Sequence, residues 1–293
     1  YEMQRSLVGS EMCIRDRDQE AVIDSTFKSV VLAHIAGNYM KNVNMPLFLA
    51  IQGYPGEGKT FQTLKICMES GVKICYISGA ELSGNYEKDS ILDLEENYIR
   101  ACNYFASENV PCVIIIDDFH LSPASTKNGV GTTVNSQILT GFLMNLCDKA
   151  KSIEEYRTPV ILIGNSFKDV YEPLKRDGRM DFFTWRAPLE QKYDISYNLF
   201  RDLLSKKEMK QIQNFVESYK EQPVSFFKEI KNDIVKERMR CYFNQSKNID
   251  VGRSIFELDR INTYKVDLQE LYELAEKRLK SNYQYSYELS LIH

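Results

Sequence analysis

Histidine is scarce in this chain of 293 residues: His34, His120 and His293 are the three, and none stands at ligand spacing from another or from a cysteine. That leaves a metal cage of protein ligands without support. His120, just beyond an apolar run, reads as a loop or packing residue rather than a ligand. No apolar run reaches the length of a membrane helix. The seven cysteines contain no C-x-x-C pair, and most sit in apolar stretches (Cys67, Cys75, Cys102, Cys112, Cys147), the pattern of buried thiols in a reducing cytoplasm. An excess of positive charge is missing too. With 37 Lys and Arg against 41 Asp and Glu, the net charge is −4, which argues against a purely electrostatic grip on nucleic acid. There is no internal repeat and no low-complexity tract. What remains is an ordinary globular composition, 43% hydrophobic and 27% charged, in a chain long enough for two domains of about 150 residues each.

The most informative stretch is Gly53-Tyr54-Pro55-Gly56-Glu57-Gly58-Lys59-Thr60, a complete G-x-x-x-x-G-K-[ST] phosphate loop. Glycine at 53, 56 and 58 lets the backbone turn its N–H groups toward a polyphosphate. Lys59 is the cation for the β and γ phosphates, and the Thr60 hydroxyl is a ligand for Mg²⁺. The context is right for such a loop. Leu47 to Ile51 before it is a short buried-strand pattern, and Phe61, Leu64, Lys65 and Met68 after it recur at helical spacing. A nucleotide polyphosphate with Mg²⁺ is therefore the expected ligand, with Gly53, Pro55, Gly56, Glu57, Gly58, Lys59, Thr60 and Phe61 as the binding segment.

Strand and helix patterns alternate on both sides of the loop. Ser25 to Met40 is amphipathic, with Phe27, Val30, Val31, His34 and Ile35 on one face. Lys73 to Ser78 reads as a strand, Ile91 to Ser107 as a helix, and Val113 to Asp118 as a continuous apolar run ending in two acids, the mark of a central parallel strand. Ser122 to Val134 is a polar loop, Ser136 to Ala150 a helix, and Val160 to Ile163 another buried strand. The alternation implies an α/β fold: a P-loop NTPase domain of three αβα layers with a mainly parallel sheet. Composition changes near Pro188, and Asp194 to Leu279 carries charged helical segments, so a smaller helical domain should follow.

Later residues narrow the chemistry. Asp117 and Asp118 close the third strand, where P-loop enzymes place one acid on the Mg²⁺ shell and another near the attacking water. Asp117 is the metal partner and Asp118 the catalytic acid by this reading. Asn165 follows the next apolar strand. Such an asparagine serves as a turn residue in its own right, but in this order of motifs its amide is expected at the γ-phosphate or the water. Arg176 and Arg179, spaced i and i+3 outside the periodic core pattern, are either a solvated basic turn or donors to a phosphate held by a neighbouring subunit.

Four stretches carry a family resemblance: the phosphate loop continued by Phe61-Gln62; Ser78 to Asn85; Gly131 to Gln137 with Leu143-Met144-Asn145; and Gly164-Asn165 with Leu174 to Met180 and Trp185. Over residues 25 to about 240 the chain resembles the AAA+ module of Rubisco activase and its bacterial and phage relatives. The resemblance implies an ATP-hydrolysing ring of identical subunits, a hexamer, that remodels a protein client. It makes Asn165 the residue called sensor 1, Arg176 and Arg179 trans-acting arginines, and Leu82 to Tyr86 a pore loop in which Tyr86 either grips a client or packs. Asp118 is one methylene shorter than the glutamate most AAA+ ATPases use, and Asp117 stands where the family tends to carry asparagine. Ser225-Phe226-Phe227 would open a helix of the lid domain, with Lys231 at the position of an arginine that completes the nucleotide site; lysine keeps the charge and loses the planar fork.

Past about residue 245 the resemblance fades, so the client stays unassigned and Rubisco is not favoured. A nucleic-acid-associated replication or packaging ATPase is the alternative. Both ends, 1–17 and 288–293, resemble translated sequencing adapter and are set aside from the fold, which leaves 18–190 as the nucleotide-binding domain and 191–287 as the lid.

Overall fold

In a computed structural model of the chain, the structure describes residues 21–83, 87–122, 134–152, 157–245 and 250–291, the last range without 253, 256–257 and 259–264. The segment 1–17 and most of the pore-loop stretch, Tyr86 included, lie outside the described residues. The chain divides into two compact units, the first ending at Arg186 and the second beginning at Ala187.

The first unit runs α1 (Ser25–Tyr39), β1 (Phe48–Gln52), α2 (Lys59–Glu69), β2 (Lys73–Ser78), α3 (Glu87–Glu108), β3 (Cys112–Asp117), α4 (Val134–Ser152), β4 (Val160–Gly164) and β5 (Met180–Thr184), with short 3₁₀ turns at Glu81–Ser83, Phe119–Leu121 and Glu172–Lys175. The strands form one parallel sheet in the order β2-β3-β4-β1-β5. β3 and β4 are buried at every residue, whereas the edge strands β2 and β5 have exposed positions. A parallel sheet covered on both faces produces that contrast. Ala50, Ile114, Ile116 and Leu162 point to one face and pack with Leu94 and Tyr98 of α3 and Leu139, Leu143 and Leu146 of α4. Met180 joins the same cluster, so Phe183, three residues on, points to the opposite face. There it meets Phe27 of α1 at 5.4 Å. Helices thus cover both faces, and the three-layer α/β expectation stands.

The helix after the phosphate loop forms as its spacing predicts, and two strand readings need correction. In α2 the buried residues are Lys59, Gln62, Thr63, Leu64, Ile66 and Cys67, while Met68 is exposed and Phe61 and Lys65 are half-buried. The helix begins inside the phosphate loop and packs on both the sheet and α1, so its covered face is broader than one apolar stripe. The third strand stops at Asp117, because Asp118 turns into the left-handed region (φ 50°). β5 was missed altogether. With only Met180 of its five residues buried, this edge strand carries little apolar signal.

The second unit is helical: α5 (Leu189–Phe200), α6 (Lys206–Met209), α7 (Ile212–Ser218), α8 (Val224–Gln245) and α9 (Leu268–Leu291). Its core is aromatic. Phe215 lies 5.0 to 6.2 Å from the rings of Phe200, Tyr219, Phe227 and Tyr272, mostly edge to face. The buried ammonium of Lys192 donates to Lys220 O and Gln222 O at 2.9 and 2.7 Å, which satisfies a charge that would otherwise be costly. Arg278 of α9 pairs with Asp233 of α8 at 2.6 Å.

Candidate functional site

The carboxyl ends of β1, β3 and β4, neighbours or near neighbours in the sheet, bring the site together, as open parallel sheets do for ligands generally. Leaving β1, the chain makes the phosphate loop with Gly53, Gly56 and Gly58 at φ 154°, 79° and 77°. Gly58 is the N-cap of α2 and has no side chain to offer, so the first N–H groups of the helix point into the loop uncapped. Lys59, Thr60 and Phe61 are the first three helical residues.

Trp185 fastens this loop to the end of β5. Its backbone N–H donates to Gln52 O (2.7 Å), its indole N–H to Glu57 O (2.9 Å), and its ring stands edge-on to Phe27 at 4.9 Å. A Cβ at position 53 would fall 2.1 Å from the Trp185 carbonyl oxygen, so only glycine lets the two segments pass.

Lys59 is buried, and its ammonium donates to Gly53 O and Tyr54 O at 2.8 and 2.9 Å and, more weakly, to Asn165 Oδ1 at 3.4 Å. Burial lowers its pKa, opposed by the charges of Asp117, Glu57 and Asp118. The Thr60 hydroxyl donates to Asp117 Oδ1 (3.0 Å), the other Asp117 oxygen accepts from Tyr76 OH (2.8 Å), and the Asp118 N–H also donates to Oδ1 (2.9 Å). Thr60 and Asp117 are thus a hard, oxygen-only pair beside the phosphate loop, and they fit Mg²⁺, which takes one or two protein oxygens and fills its shell with water and phosphate. The exposed Asp118 carboxylate is carried by the left-handed turn that leads into Phe119–Leu121. Gly79 lets that turn approach, since a Cβ there would lie 2.5 Å from Asp118 O.

Two parts of the site escaped the sequence reading. Tyr76 sits opposite Ile115 in the β2–β3 register, two residues short of Asp117 on the same face, a diagonal that a long side chain spans. Only the register reveals it. His120, read as a loop or packing residue, has Nε2 3.3 Å from Asn165 Nδ2.

The arginines stand apart. Arg176 is exposed. Arg179 donates to Pro173 O (2.9 Å) and forms an ion pair with Asp148 of α4 (3.2 Å). Neither makes a hydrogen bond or ion pair with its own phosphate loop among the described residues. Lys231 is a half-buried residue of α8 in the second unit.

Comparison with known proteins agrees with this geometry. Residues 49–187, from β1 to just past Trp185, match the ATPase family associated with various cellular activities (AAA). These residues, just under half of the chain, are similar to an AAA module. Among AAA+ proteins the chain is similar to ribulose bisphosphate carboxylase/oxygenase activase of Anabaena sp., 31% identical over 231 residues that make up 75% of this chain and 55% of the relative. The chloroplastic activase of Spinacia oleracea is 28% identical over 247 residues, 80% of this chain and 51% of the relative. The chain spans about half the length of the curated relatives it matches. No helix among the described residues is long and apolar enough to cross a membrane.

Proposed function

We propose that this chain binds ATP with Mg²⁺ and hydrolyses it, working as a ring of identical subunits, expected to be hexameric, that remodels a protein client in the cytoplasm. The carrying observation is the convergence of Lys59 with Asn165 and of Thr60 with Asp117 at adjacent strand ends. Phosphoryl transfer asks a protein chiefly for positioning and charge stabilisation, and these residues are of the kinds that supply both.

Lys59 and the N–H groups of the glycine loop bind the β and γ phosphates. Thr60 and Asp117 would hold Mg²⁺, which when bound neutralises charge across the phosphate oxygens. Asp118 orients the attacking water, and Asn165 donates from its amide to that water or to the γ-phosphate. Arg176 and Arg179 complete a neighbour's site. For Arg179 this means exchanging the Asp148 carboxylate for phosphate, whereas Arg176 is already exposed. A nucleic-acid-associated ATPase is not favoured, given activase relatives and a net charge of −4. Rubisco, named for the relatives, is a candidate client to be tested directly.

Calorimetric titration and subunit mixing test the reading together. Lys59→Ala should lose nearly all ATP affinity. Arg176→Ala should keep binding and lose turnover by on the order of 10³-fold or more, the scale of trans-acting arginines. Mixing the two variants should restore part of the activity, because an intact site can then sit beside an intact donor. Equal affinity in Lys59→Ala would refute the nucleotide assignment. No rescue in rings shown to co-assemble would refute the shared site.

A further inference from the structure

Asn165 presents its amide to two partners. Lys59 has only hydrogens to give, so the atom facing its ammonium must be the amide oxygen, as the contact from Lys59 Nζ to Oδ1 has it. The amide nitrogen therefore faces His120 Nε2. An NH₂ group has only hydrogens to give in its plane, so Nε2 must accept, and the neutral imidazole carries its proton on Nδ1. That Nδ1 is buried with no hydrogen-bond partner among the described residues, a cost the fold sustains at this position.

The ring is held firmly enough to matter. Phe119, fully buried, stacks on Phe167 at 5.8 Å and 15°, which ties the Phe119–Leu121 turn to the segment just past Asn165. A Cβ at Gly164 would lie 3.7 Å from the His120 backbone nitrogen, so the end of β4 and the turn are in close approach. His120 thus reaches Asn165 from a packed platform that follows directly after Asp118.

We propose that His120 is a positioning residue for ATP hydrolysis: its Nε2 accepts one hydrogen of the Asn165 amide, fixes the rotation of that amide, and leaves the second hydrogen for the γ-phosphate or the attacking water. This rests on the ATPase reading above and adds a residue to it. Once Lys59 turns to the phosphates, an exposed asparagine without this acceptor would rotate among several orientations, and aligning it would fall to the transition state. Residues that orient a catalytic contact in this way typically matter by about 10- to 100-fold.

The test compares variants of the full chain. His120→Phe keeps a ring on the platform and removes the acceptor; kcat should fall about 10-fold or more with the KM for MgATP and the melting temperature unchanged. His120→Gln, whose Oε1 can accept, should recover much of the loss. In the Asn165→Ala background, His120→Phe should cost nothing further, since nothing is left to orient. Nitrogen-15 NMR of the labelled histidines, assigned through His120→Phe, should find His120 protonated on Nδ1, unlike free histidine, which favours Nε2. A fully active His120→Phe, an equal loss in the Asn165→Ala background, or an Nε2-protonated ring would overturn the proposal. If Asn165→Ala itself hydrolyses ATP normally, the sensor reading falls and this inference with it. A normal His120→Phe beside an impaired Asn165→Ala overturns this inference alone.

Discussion

Replacing Gly53 by alanine should loosen the phosphate loop without touching any group that contacts nucleotide through its side chain. The new Cβ would stand 2.1 Å from the Trp185 carbonyl oxygen and 3.1 Å from its carbon, backbone atoms that cannot swing aside. Relief requires the loop and the end of β5 to separate. That weakens the bonds from Trp185 N–H to Gln52 O and from the indole to Glu57 O. Two such bonds contribute roughly 0.5–1.5 kcal/mol each, and a side chain held in a glycine conformation costs about 1–3 kcal/mol, so a loss on the order of 3 kcal/mol is expected. For a domain of this size that is a drop in Tm of roughly 6–12 °C. Trp185 is the sole tryptophan, so its fluorescence reports on the loop itself during melting and during titration with MgATP. Gly71→Ala is the internal control. It also has positive φ (69°), but a Cβ there meets nothing within 4 Å, so only the backbone term of about 1 kcal/mol applies. If Gly53→Ala melts and binds like wild type, or no worse than Gly71→Ala, the clamp between Trp185 and the loop is not what holds the site.

Three more outcomes follow from the geometry. Burial, with the charge of Arg157 adding to it, lowers the His34 pKa from 6.5 to about 4, so the unfolded chain binds a proton there that the native one refuses. Stability should fall as pH drops from 6.5 toward 4, by about 3 kcal/mol from this residue, and urea unfolding across that range should show a flatter slope for His34→Leu. Asp118→Asn should bind MgATP normally and lose turnover in a phosphate-release assay, because asparagine tolerates the left-handed backbone and gives up only the charge. Tyr76→Phe removes the donor to Asp117 Oδ2 and should raise the Mg²⁺ concentration needed for half-maximal activity by about 10-fold, with no change if the phenol is irrelevant to the carboxylate.

The parts of the site that follow in chain order from one motif were legible in the sequence. The phosphate loop, the acid ending β3 and the amide after β4 are each announced by an apolar run that stops at a polar residue, and burial on both sheet faces is what makes such runs continuous. Asp117 and Asn165 could be named for that reason. Tyr76 and His120 could not, because their roles depend on register and on a turn set by the left-handed Asp118, neither of which leaves a periodic trace. β5 was silent for the opposite reason. An edge strand with one buried residue needs no apolar pattern, yet its exit carries Trp185, which was noted in the sequence without the clamp it forms. The ion pair between Arg179 and Asp148 spans separate elements and was equally invisible.

The strand order has a consequence for how the protein is made. β1 lies between β4 and β5, pairing Phe48 with Val160 on one side and with Met180 on the other. During synthesis the phosphate-loop strand therefore emerges early and waits for partners more than a hundred residues downstream, and the clamp on its loop waits longer still, for Trp185. Neighbours so distant in sequence make for slow closure, and the apolar Leu47–Ile51 segment stays uncovered meanwhile. A nascent chain halted before Trp185 would carry every residue of the phosphate loop and still lack the two hydrogen bonds by which Trp185 holds it. The clamp on the phosphate loop is thus among the last contacts of that sheet edge to be supplied as the chain is made.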